Sequence, residues 1–388
     1  MYNILCVNKI SEIGTDRFDN NYKFGTDTEN PDAILVRSSS LHDMTFGKKL
    51  VAISRAGAGV NNIPLDKCSE QGIVVFNTPG ANANAVKELV ICSLLLTSRK
   101  VIPSAGWVKT LKGSGDEVSK LVEKGKSNFA GPEIKGKTLG VIGLGAIGIL
   151  VANAARSLGM NVYGYDPYLS VDAAWGLSRA VVHAHNLDDI YANCDYISLH
   201  LPATKDTAGM INTEAIAKMK DGARLLNFAR GELVNSDDLI TALESEKISA
   251  YATDFPDDKL IGVENVIGIP HLGASTPESE DNCAVMAVDE IKEFLENGNI
   301  VNSVNLPSLS MPREPMTSRI CIVHKNVPNT IGLFTTTCGN FNLNIENMQS
   351  KSKGEYAYTV LDVSGEIKED AIDALTALGA IIRVRIIK

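Results

Sequence analysis

The sequence KTLGVIGLGAIGILVANAARSLGMNVYGYD, residues 137–166, decides the fold that we expect for this chain. Its apolar run at 139–142 predicts a buried strand, and the glycines that follow are spaced G-x-G-x-x-G. Apolar residues at helical spacing come next and stop at Gly159, a residue type that commonly ends helices. A second apolar run at 162–165 ends in Asp166. The stretch therefore predicts a strand, a tight turn, a helix and a second strand, which is the βαβ unit of a parallel sheet.

The glycine turn has the features of a dinucleotide site. Glycine lets backbone N–H groups approach a pyrophosphate closely at the N-terminus of a helix. Asp166 can accept hydrogen bonds from the ribose hydroxyls of adenosine, and its charge would repel a 2′-phosphate, so the pattern favours NAD over NADP. The alternative is an ordinary glycine turn without a ligand. The predicted cofactor-binding residues of this stretch are Gly143, Gly145, Ala146, Ile147, Gly148 and Asp166.

The composition is that of a soluble globular protein with two or three domains, since the chain has 388 residues, 44% hydrophobic and 21% charged. A net charge of −9 argues against broad binding to nucleic acid or to an anionic membrane. The seven cysteines are scattered without a C-x-x-C pair. They predict reduced thiols in a cytoplasmic protein, with neither disulfides nor a metal site.

The first hundred residues alternate short apolar runs with helical or loop stretches, which predicts a parallel α/β sheet with strands at 4–7, 33–36, 50–53 and 73–76. Arginine, hydroxyl-bearing residues, glycine or asparagine follow the last three of these runs. Ligands of open α/β sheets bind beyond the carboxyl ends of the strands, and these groups suit an anionic small molecule. The alternative is that they only form turns. The predicted substrate-binding residues here are Arg37, Ser38, Arg55, Ala56, Gly57, Ala58 and Asn82.

Between residues 137 and 275 the strand–helix alternation continues, and each strand again ends in polar or small residues. The predicted strands are at 195–200, 225–228, 251–255 and 266–269, and Ser236 is expected to cap a helix at 237–246. The residues at these strand ends that we predict to line the cofactor are His200, Pro202, Ala229, Asp254, Gly273 and Ala274.

Two residues of this region suit the chemistry of a nicotinamide enzyme. His271 follows Pro270 at a strand end, and a histidine can accept and release a proton near neutral pH, although it could also be structural. Arg230 could hold a substrate carboxylate through two parallel hydrogen bonds, as for a 2-hydroxy or 2-oxo acid. A carboxylate beside the histidine would hold its tautomer, and Asp254, Asp257 and Asp258 are the candidates.

After a long helix predicted at 276–300, a proline-containing linker at 302–315 precedes a separate unit. Its apolar runs predict the order βαββαβ, a small ferredoxin-like fold. The unit could serve oligomerisation or bind an effector.

The motifs VIGLGAIG, SLHLP, NFARGELVN and IPHLGAS occur in this order, and over residues 1–305 the chain resembles the D-isomer-specific 2-hydroxyacid dehydrogenase family. The resemblance implies two doubly wound parallel-sheet domains, with a Rossmann NAD domain inserted in a flavodoxin-like substrate domain. It implies that Arg230 anchors the substrate, that His271 is the acid/base, and that Asp166 contacts the ribose. The implied domains are a substrate domain at 1–100 and 276–305, an NAD domain at 101–275 and a C-terminal domain at 316–388.

One segment departs from the family pattern. The acid partner of the histidine is usually a glutamate, whereas here the segment after Asp254 is shorter and has no glutamate before Glu264. Alignment on 255–256 puts Asp258 in that position, and an aspartate is one methylene shorter. We therefore assign Asp258, with Arg230 and His271, to the catalytic residues.

The C-terminal unit resembles an ACT domain, and the resemblance to family members with such a domain implies a more specific function. It is NAD-dependent oxidation of 3-phosphoglycerate to 3-phosphohydroxypyruvate in the first step of L-serine synthesis, with the phosphate on Arg37 and Ser38. Serine would bind as a feedback effector at His324, Asn326 and Asn344, and the enzyme would be a homodimer or homotetramer. The alternatives are a hydroxypyruvate, glyoxylate or D-lactate dehydrogenase, or a non-enzymatic NAD-sensing protein of the corepressor kind.

Overall fold

The computed structural model describes residues 1–314 and 317–388, and the chain divides into two compact units. Unit 1 consists of Met1–Asn82 and Pro277–Lys388, and unit 2 consists of Ala83–Thr276. The end of the predicted linker and the first residue of the predicted C-terminal domain, Pro315 and Met316, lie outside the described residues.

Unit 1 begins with a five-stranded parallel sheet in the order β2-β1-β3-β4-β5, the flavodoxin-like arrangement. Alternate strand residues enter two different cores: Leu35 belongs to one cluster, while Ile34 and Val36 belong to another. The elements are β1 (Tyr2–Cys6), α1 (Glu12–Thr15), β2 (Tyr22–Gly25), β3 (Ala33–Val36), β4 (Ala52–Arg55), α2 (Leu65–Glu70) and β5 (Val74–Asn77). The sequence did not predict β2, a short strand at the edge of the sheet that contains an exposed Lys23.

Unit 2 has a seven-stranded parallel sheet in the order β12-β11-β10-β9-β6-β7-β8. The helices are α3 (Ala83–Ser98), α4 (Val101–Thr110), α5 (Val118–Gly125), α6 (Ala146–Ser157), α7 (Val171–Gly176), α8 (Leu187–Asn193), α9 (Thr213–Lys218) and α10 (Ser236–Glu244). The strands are β6 (Thr138–Ile142), β7 (Asn161–Tyr165), β8 (Val182–His183), β9 (Tyr196–Leu199), β10 (Ala223–Asn227), β11 (Ile248–Thr253) and β12 (Val266–Gly268).

Two local predictions differ from the structure of unit 2. The NAD domain was predicted from residue 101, but unit 2 begins at Ala83 because α3 buries Val86 and Val90 in the same core as Ile149 of α6. The helix predicted at 237–246 is α10, and its N-cap is Asn235 rather than Ser236. The Asn235 side chain accepts hydrogen bonds from two N–H groups of the first turn, so it is the residue that satisfies that terminus.

Unit 1 continues with α11 (Pro277–Asn297), which packs on the five-stranded sheet. The C-terminal elements follow as β13 (Ser318–Lys325), α12 (Thr330–Asn340), β14 (Asn344–Lys353), β15 (Tyr356–Ser364), α13 (Glu369–Thr376) and β16 (Ile381–Ile387). They form an antiparallel sheet in the order β14-β15-β13-β16. The predicted fold class is therefore confirmed, with two parallel-sheet α/β layers and a βαββαβ unit.

No single helix in residues 1–314 or 317–388 is long and apolar enough to cross a membrane. Only α3 and α4 counted together meet that length and composition, and they are bent by 64° at the break between them.

Candidate functional site

The glycine turn after β6 depends on two positions where no side chain fits. Gly143 has φ +94°, and a Cβ there would lie 2.4 Å from the carbonyl oxygen of His200. A Cβ on Gly148 would lie 1.9 Å from the carbonyl oxygen of Gly143. Gly145 is different, because it is exposed and a Cβ there would meet no atom within 4 Å. The first and third glycines therefore shape the turn, and the middle one keeps its outer side open.

The turn ends at the N-terminus of α6, where Gly145 is the N-cap and no side chain caps the helix. The first N–H groups of an α-helix have no partner within the helix and attract negative charge. Ala146 is exposed and Ile147 is half-buried at this terminus. The terminus can therefore donate hydrogen bonds to an anion placed against Gly145.

Asp166 holds the glycine turn against the end of β7. Its Oδ2 accepts a hydrogen bond from the N–H of Leu144 at 2.8 Å, and its Oδ1 accepts one from the N–H of Tyr168 at 2.8 Å. A carboxylate has further acceptor positions on both oxygens. The predicted ribose contact of Asp166 is compatible with these two bonds.

His200 lies at the end of β9 and is held in a neutral state. Burial lowers its pKa to about 4. Its Nε2 is hydrogen-bonded to Ser198 Oγ at 2.9 Å, while its Nδ1 is buried and has no partner among residues 1–314 and 317–388. The exposed Pro202 follows, and its carbonyl oxygen accepts a hydrogen bond from Thr207. A neutral ring with a free nitrogen suits the wall of a cofactor pocket.

The loop that carries Arg230 is fixed by Asn227, a fully buried residue at the end of β10. Asn227 Oδ1 accepts a hydrogen bond from the N–H of Ala229 at 3.2 Å, and its Nδ2 donates to the carbonyl oxygen of Arg230 at 2.8 Å. The guanidinium of Arg230 is exposed and donates to the carbonyl oxygen of Ala229. The sequence analysis assigned no role to Asn227, although an asparagine two residues before A-R-G at a strand end was the available signal.

Asp254 is a buried carboxylate on which both predicted catalytic residues act electrostatically. It follows β11, is 2% exposed, and its Oδ2 accepts a hydrogen bond from the N–H of Gly273 at 3.1 Å. Burial raises the pKa of Asp254, and the charges of His271 and Arg230 oppose that rise. Arg230 and His271 therefore both act electrostatically on one carboxylate, which directly follows a strand of the seven-stranded sheet.

His271 is exposed, and its ring lies against that of Phe255, with 4.4 Å between centroids. Asp258 is also exposed, and no hydrogen bond or ion pair joins it to His271 in the described part of the chain. Asp257 is engaged elsewhere, since it accepts a hydrogen bond from Ser236 at 2.6 Å. Gly273 is buried and Ala274 half-buried. The assignment of Asp258 stays a prediction, and Asp254 is the carboxylate that interacts with the histidine.

In unit 1, the loop after β3 arranges three consecutive backbone N–H groups around one oxygen atom. The N–H groups of Arg37, Ser38 and Ser39 donate to Asn8 Oδ1 at 2.9, 3.2 and 3.2 Å. The side chains of Arg37 and Ser38 are exposed, and Arg37 Nη2 contacts Glu280 Oε1 at 2.5 Å. Such a set of convergent amides beside a guanidinium can hold an anion.

The loop after β4 folds back on itself. Arg55 Nε donates to the carbonyl oxygen of Arg37 at 2.9 Å, and its Nη1 donates to the carbonyl oxygen of Gly59. Burial lowers the pKa of Arg55. Ala56 is buried, and Asn82 is half-buried at the end of the first segment of unit 1. Gly57 and Ala58, which the sequence predicts to bind substrate, lie in this loop shortly after the half-buried Arg55.

Residues 92–273 match the family model described as the D-isomer specific 2-hydroxyacid dehydrogenase, NAD binding domain. A D-3-phosphoglycerate dehydrogenase of Haemophilus influenzae is 33% identical over 350 residues, covering 87% of this chain and 82% of that protein. One of Synechocystis sp. is 37% identical over 288 residues, covering 72% of this chain. The chain spans about half the length of that relative, 50%. The chain belongs to the D-isomer specific 2-hydroxyacid dehydrogenase family.

A solved structure of this dehydrogenase fold is similar to the chain as well. The NAD+-bound 3-phosphoglycerate dehydrogenase of Entamoeba histolytica is 26% identical, with a TM-score of 0.60 and coverage of 79% of this chain and 99% of that one.

The matched family model is that of an NAD-binding domain, and the glycine turn fits this cofactor. The open side of Gly145, the uncapped N-terminus of α6 and the carboxylate of Asp166 offer the space, the N–H donors and the acceptors that a pyrophosphate and a ribose need. His200 and the loop of Ala229 would flank the rest of the cofactor.

The predicted effector residues lie in the C-terminal part of unit 1 and differ in how accessible their side chains are. His324 is 3% exposed, and its two ring nitrogens are hydrogen-bonded to Thr359 Oγ1 and to the carbonyl oxygen of Lys325, both at 2.9 Å. Asn326 donates to the carbonyl oxygen of Gly354 at 3.2 Å. Asn344 is exposed and donates to Glu346 at 2.8 Å. Only the two asparagine side chains are accessible in this arrangement.

Proposed function

We propose that this protein is a D-3-phosphoglycerate dehydrogenase, which oxidises 3-phosphoglycerate to 3-phosphohydroxypyruvate with NAD in the first step of L-serine synthesis. The observation that carries the proposal is that Arg230 and His271 both act electrostatically on the buried Asp254, which follows a strand of the sheet that carries the glycine turn. A guanidinium, an imidazole and a cofactor site together meet the needs of a 2-hydroxyacid oxidation. The similarity to the D-3-phosphoglycerate dehydrogenases of Haemophilus influenzae and Synechocystis sp. supports the phosphorylated substrate.

The proposed reaction removes a proton from the C2 hydroxyl and a hydride from C2. Bound NAD supplies the hydride acceptor. The imidazole of His271 takes the hydroxyl proton, and Arg230 holds the carboxylate so that C2 stays in place. Phe255 supports the ring of His271 from one side. Asn227 keeps the loop of Arg230 in position through its two backbone hydrogen bonds.

We further propose that acidic residues stabilise the imidazolium that forms. Asp254 supplies a buried negative charge that acts on His271. Asp258 is proposed as the residue that approaches the histidine when substrate binds, as the family alignment suggests. Asp258→Asn would then lower kcat, and a variant with unchanged kcat would leave this role to Asp254.

For unit 1 we propose the remaining substrate contacts. Arg37 and Ser38 would bind the phosphate through the guanidinium, the hydroxyl and the backbone N–H groups of their loop. Backbone amides of the loop that contains Ala56, Gly57 and Ala58, with Arg55, would bind the carboxylate, and Asn82 would contact the substrate.

Turnover with NAD tests the proposed function. We expect activity on 3-phosphoglycerate to exceed that on D-glycerate and D-lactate by at least about 100-fold in kcat/KM, as a phosphate-binding arginine requires. His271→Gln should lower kcat by roughly 10²- to 10⁴-fold without changing NAD affinity. Equal turnover of the unphosphorylated acids would favour a hydroxypyruvate, glyoxylate or D-lactate dehydrogenase. Absence of any turnover together with NAD binding would favour a non-enzymatic sensor.

Serine regulation is the proposed role of the C-terminal unit. The exposed amides of Asn326 and Asn344 can bind the carboxylate and ammonium of a free amino acid, while His324 would have to exchange one of its internal hydrogen bonds. Calorimetry with L-serine should give a saturable binding heat that Asn344→Ala removes. No binding heat from the unaltered protein would refute the effector role.

We propose that the enzyme is a homodimer or homotetramer in the cytoplasm, with α4 in a subunit interface. This helix of 10 residues is apolar, yet none of its residues is buried. Val101 and Val108 are 51% and 47% exposed. Burial of such a face against a second copy is favourable. Val108→Asp should reduce the mass measured by light scattering, whereas Ile261→Asp, at an equally apolar position that is 71% exposed, should not.

A further inference from the structure

Arg37, the arginine that we assign to the substrate phosphate, forms an ion pair within the protein. Glu280 in the first part of α11 contacts Arg37, with 2.5 Å between Oε1 and Nη2, and their side chains are 42% and 44% exposed. The two residues are separated by 243 positions in the chain. The contact therefore arises from the packing of α11 in unit 1 and not from local sequence.

The backbone of the same loop is also occupied by an oxygen of the protein. Asn8 Oδ1 accepts the N–H groups of Arg37, Ser38 and Ser39, and Asn8 Nδ2 donates to Ser39 Oγ at 2.8 Å. An amide oxygen thus lies where an anionic oxygen would receive three hydrogen bonds. The guanidinium and the amides both have an internal partner that an incoming anion has to replace.

We propose that Glu280 is an internal competitor for the anionic group at Arg37, and that it sets how strongly the enzyme prefers phosphorylated over unphosphorylated acids. This inference rests on the proposed function for the identity of the substrate. Asn8 is uncharged and its oxygen accepts the amide N–H groups, so the charge competition comes from Glu280. A substrate without a phosphate has no need to displace Glu280.

Because its contact with Arg37 is weak, Glu280 modulates the binding of a phosphorylated substrate and does not block it. Exposed ion pairs are weak because water solvates both partners, so the guanidinium can change partners at little cost. A carboxylate that remains nearby also repels a phosphate with the same sign of charge. Both effects lower the affinity for the phosphorylated substrate by a moderate factor.

The test compares Glu280→Gln with Glu278→Gln, a matched change of charge in the same helical turn at an exposed position. Glu280→Gln should lower KM for 3-phosphoglycerate by roughly three- to tenfold at constant ionic strength, and KM for D-glycerate should stay within about twofold. Glu278→Gln should change neither constant. In an enzyme that already carries Arg37→Ala, Glu280→Gln should no longer change KM for 3-phosphoglycerate.

A second measurement does not depend on turnover. Titration calorimetry with inorganic phosphate should show tighter binding to Glu280→Gln by a similar factor, and only while Arg37 is present. If 3-phosphoglycerate is not a substrate but phosphate still binds in this manner, the proposed function fails and the competitor role stands. If 3-phosphoglycerate is oxidised but neither KM nor phosphate affinity responds to Glu280→Gln, the competitor role is overturned and the proposed function stands. Phosphate binding that does not require Arg37 also overturns it.

Discussion

Two arginines of unit 1 show how differently the same side chain can be used. Arg319 of β13 is fully buried and forms an ion pair with the equally buried Asp362, with 2.7 Å between Nε and Oδ1. Arg37 is half-exposed and has one carboxylate partner, Glu280, on α11. The other acceptors of Arg319 are Asn299 Oδ1, at 3.5 Å, and the backbone carbonyl oxygens of Asn297, Met311 and Pro312, at 2.8 to 2.9 Å. Arg319 thus fastens the end of α11 and the following segment to the C-terminal sheet.

The difference between these arginines lies in whether the protein uses all the hydrogen-bonding capacity of the side chain. A buried group with internal partners stabilises the fold, because any loss leaves another buried group unpaired. An exposed group with one partner can exchange it for a ligand. A similar contrast separates the buried Glu290 from the partly exposed Glu280 on α11. In the glycine turn it is one of space, since a Cβ at Gly148 would collide with the protein and a Cβ at Gly145 would not.

The largest expected effect is on Arg319. Arg319→Met should lower the free energy of unfolding by about 3–5 kcal/mol, because Asp362 would remain buried without a counter-charge. Urea denaturation at pH 7 measures it. Arg37→Met is the matched control and should cost less than about 1 kcal/mol. Arg319→Met combined with Asp362→Leu should recover part of the loss, and equal costs for the two single arginine variants would remove the distinction.

The next effect is a pH dependence at Glu290. Burial raises the pKa of this carboxyl from its ordinary 4.5 to about 8, although Ser54 and Asn302 donate hydrogen bonds to it. The folded protein then holds a proton that the unfolded chain has released, so its stability falls as the pH rises from about 4.5 to 8 and levels off above that. Glu290→Gln keeps a neutral side chain and should be more stable than the unaltered protein by roughly 4 kcal/mol at pH 8.5, with little difference at pH 5.

Denaturation at several pH values checks this expectation, and Glu280→Gln serves as the exposed control from the same helix. Its effect should be below about 1 kcal/mol at every pH, because water already solvates the carboxylate. A parallel pH response in both variants would contradict the role of burial.

The smallest expected effect distinguishes the two glycines. Gly148→Ala should destabilise the protein by roughly 1–3 kcal/mol, because its Cβ would collide with the carbonyl oxygen of Gly143. Gly145→Ala should leave stability within about 1 kcal/mol, since its Cβ meets no protein atom, but should weaken NAD binding roughly tenfold by filling the open side of the turn. Thermal unfolding and NAD fluorescence titration measure the two effects. Loss of stability without loss of NAD affinity in Gly145→Ala would show that the glycine is structural.

Most of the fold was predictable because its signals are local. The periods of apolar residues, the glycine spacing and the order of the elements predicted both parallel sheets and the βαββαβ unit, which the structure confirms. The same reasoning placed α3 outside the NAD domain, because an amphipathic helix does not indicate which core it joins. It also gave the N-cap of α10 to Ser236, since Asn235 and Ser236 are both suitable cap residues and only the backbone geometry distinguishes them.

The candidate site also has a part that the sequence predicted and a part that it did not. Arg230 and His271 stood out because each follows a strand in a short, distinctive motif. The sequence offered Asp254 only as one of three candidate partners of His271. The electrostatic effect of Arg230 on Asp254, the support of the Arg230 loop by Asn227 and the pairing of Arg37 with Glu280 were not visible in it. Each of these interactions either joins segments that are distant in the sequence or sets the direction of a side chain, and local sequence patterns specify neither.

The sequence by itself determined the elements, the position of the dinucleotide turn and the residue types at the strand ends, because backbone preferences and hydrophobic periods act over a few neighbouring residues. Only the tertiary structure decided which charged side chains are buried with all their hydrogen bonds formed inside the protein, and which are exposed and can exchange a partner for a ligand. Burial and pairing depend on segments that meet only after folding, such as Arg319 with Asp362 and Arg37 with Glu280, which lie 43 and 243 positions apart. Their different solvation separates the groups that hold the fold together from those that are available to a substrate.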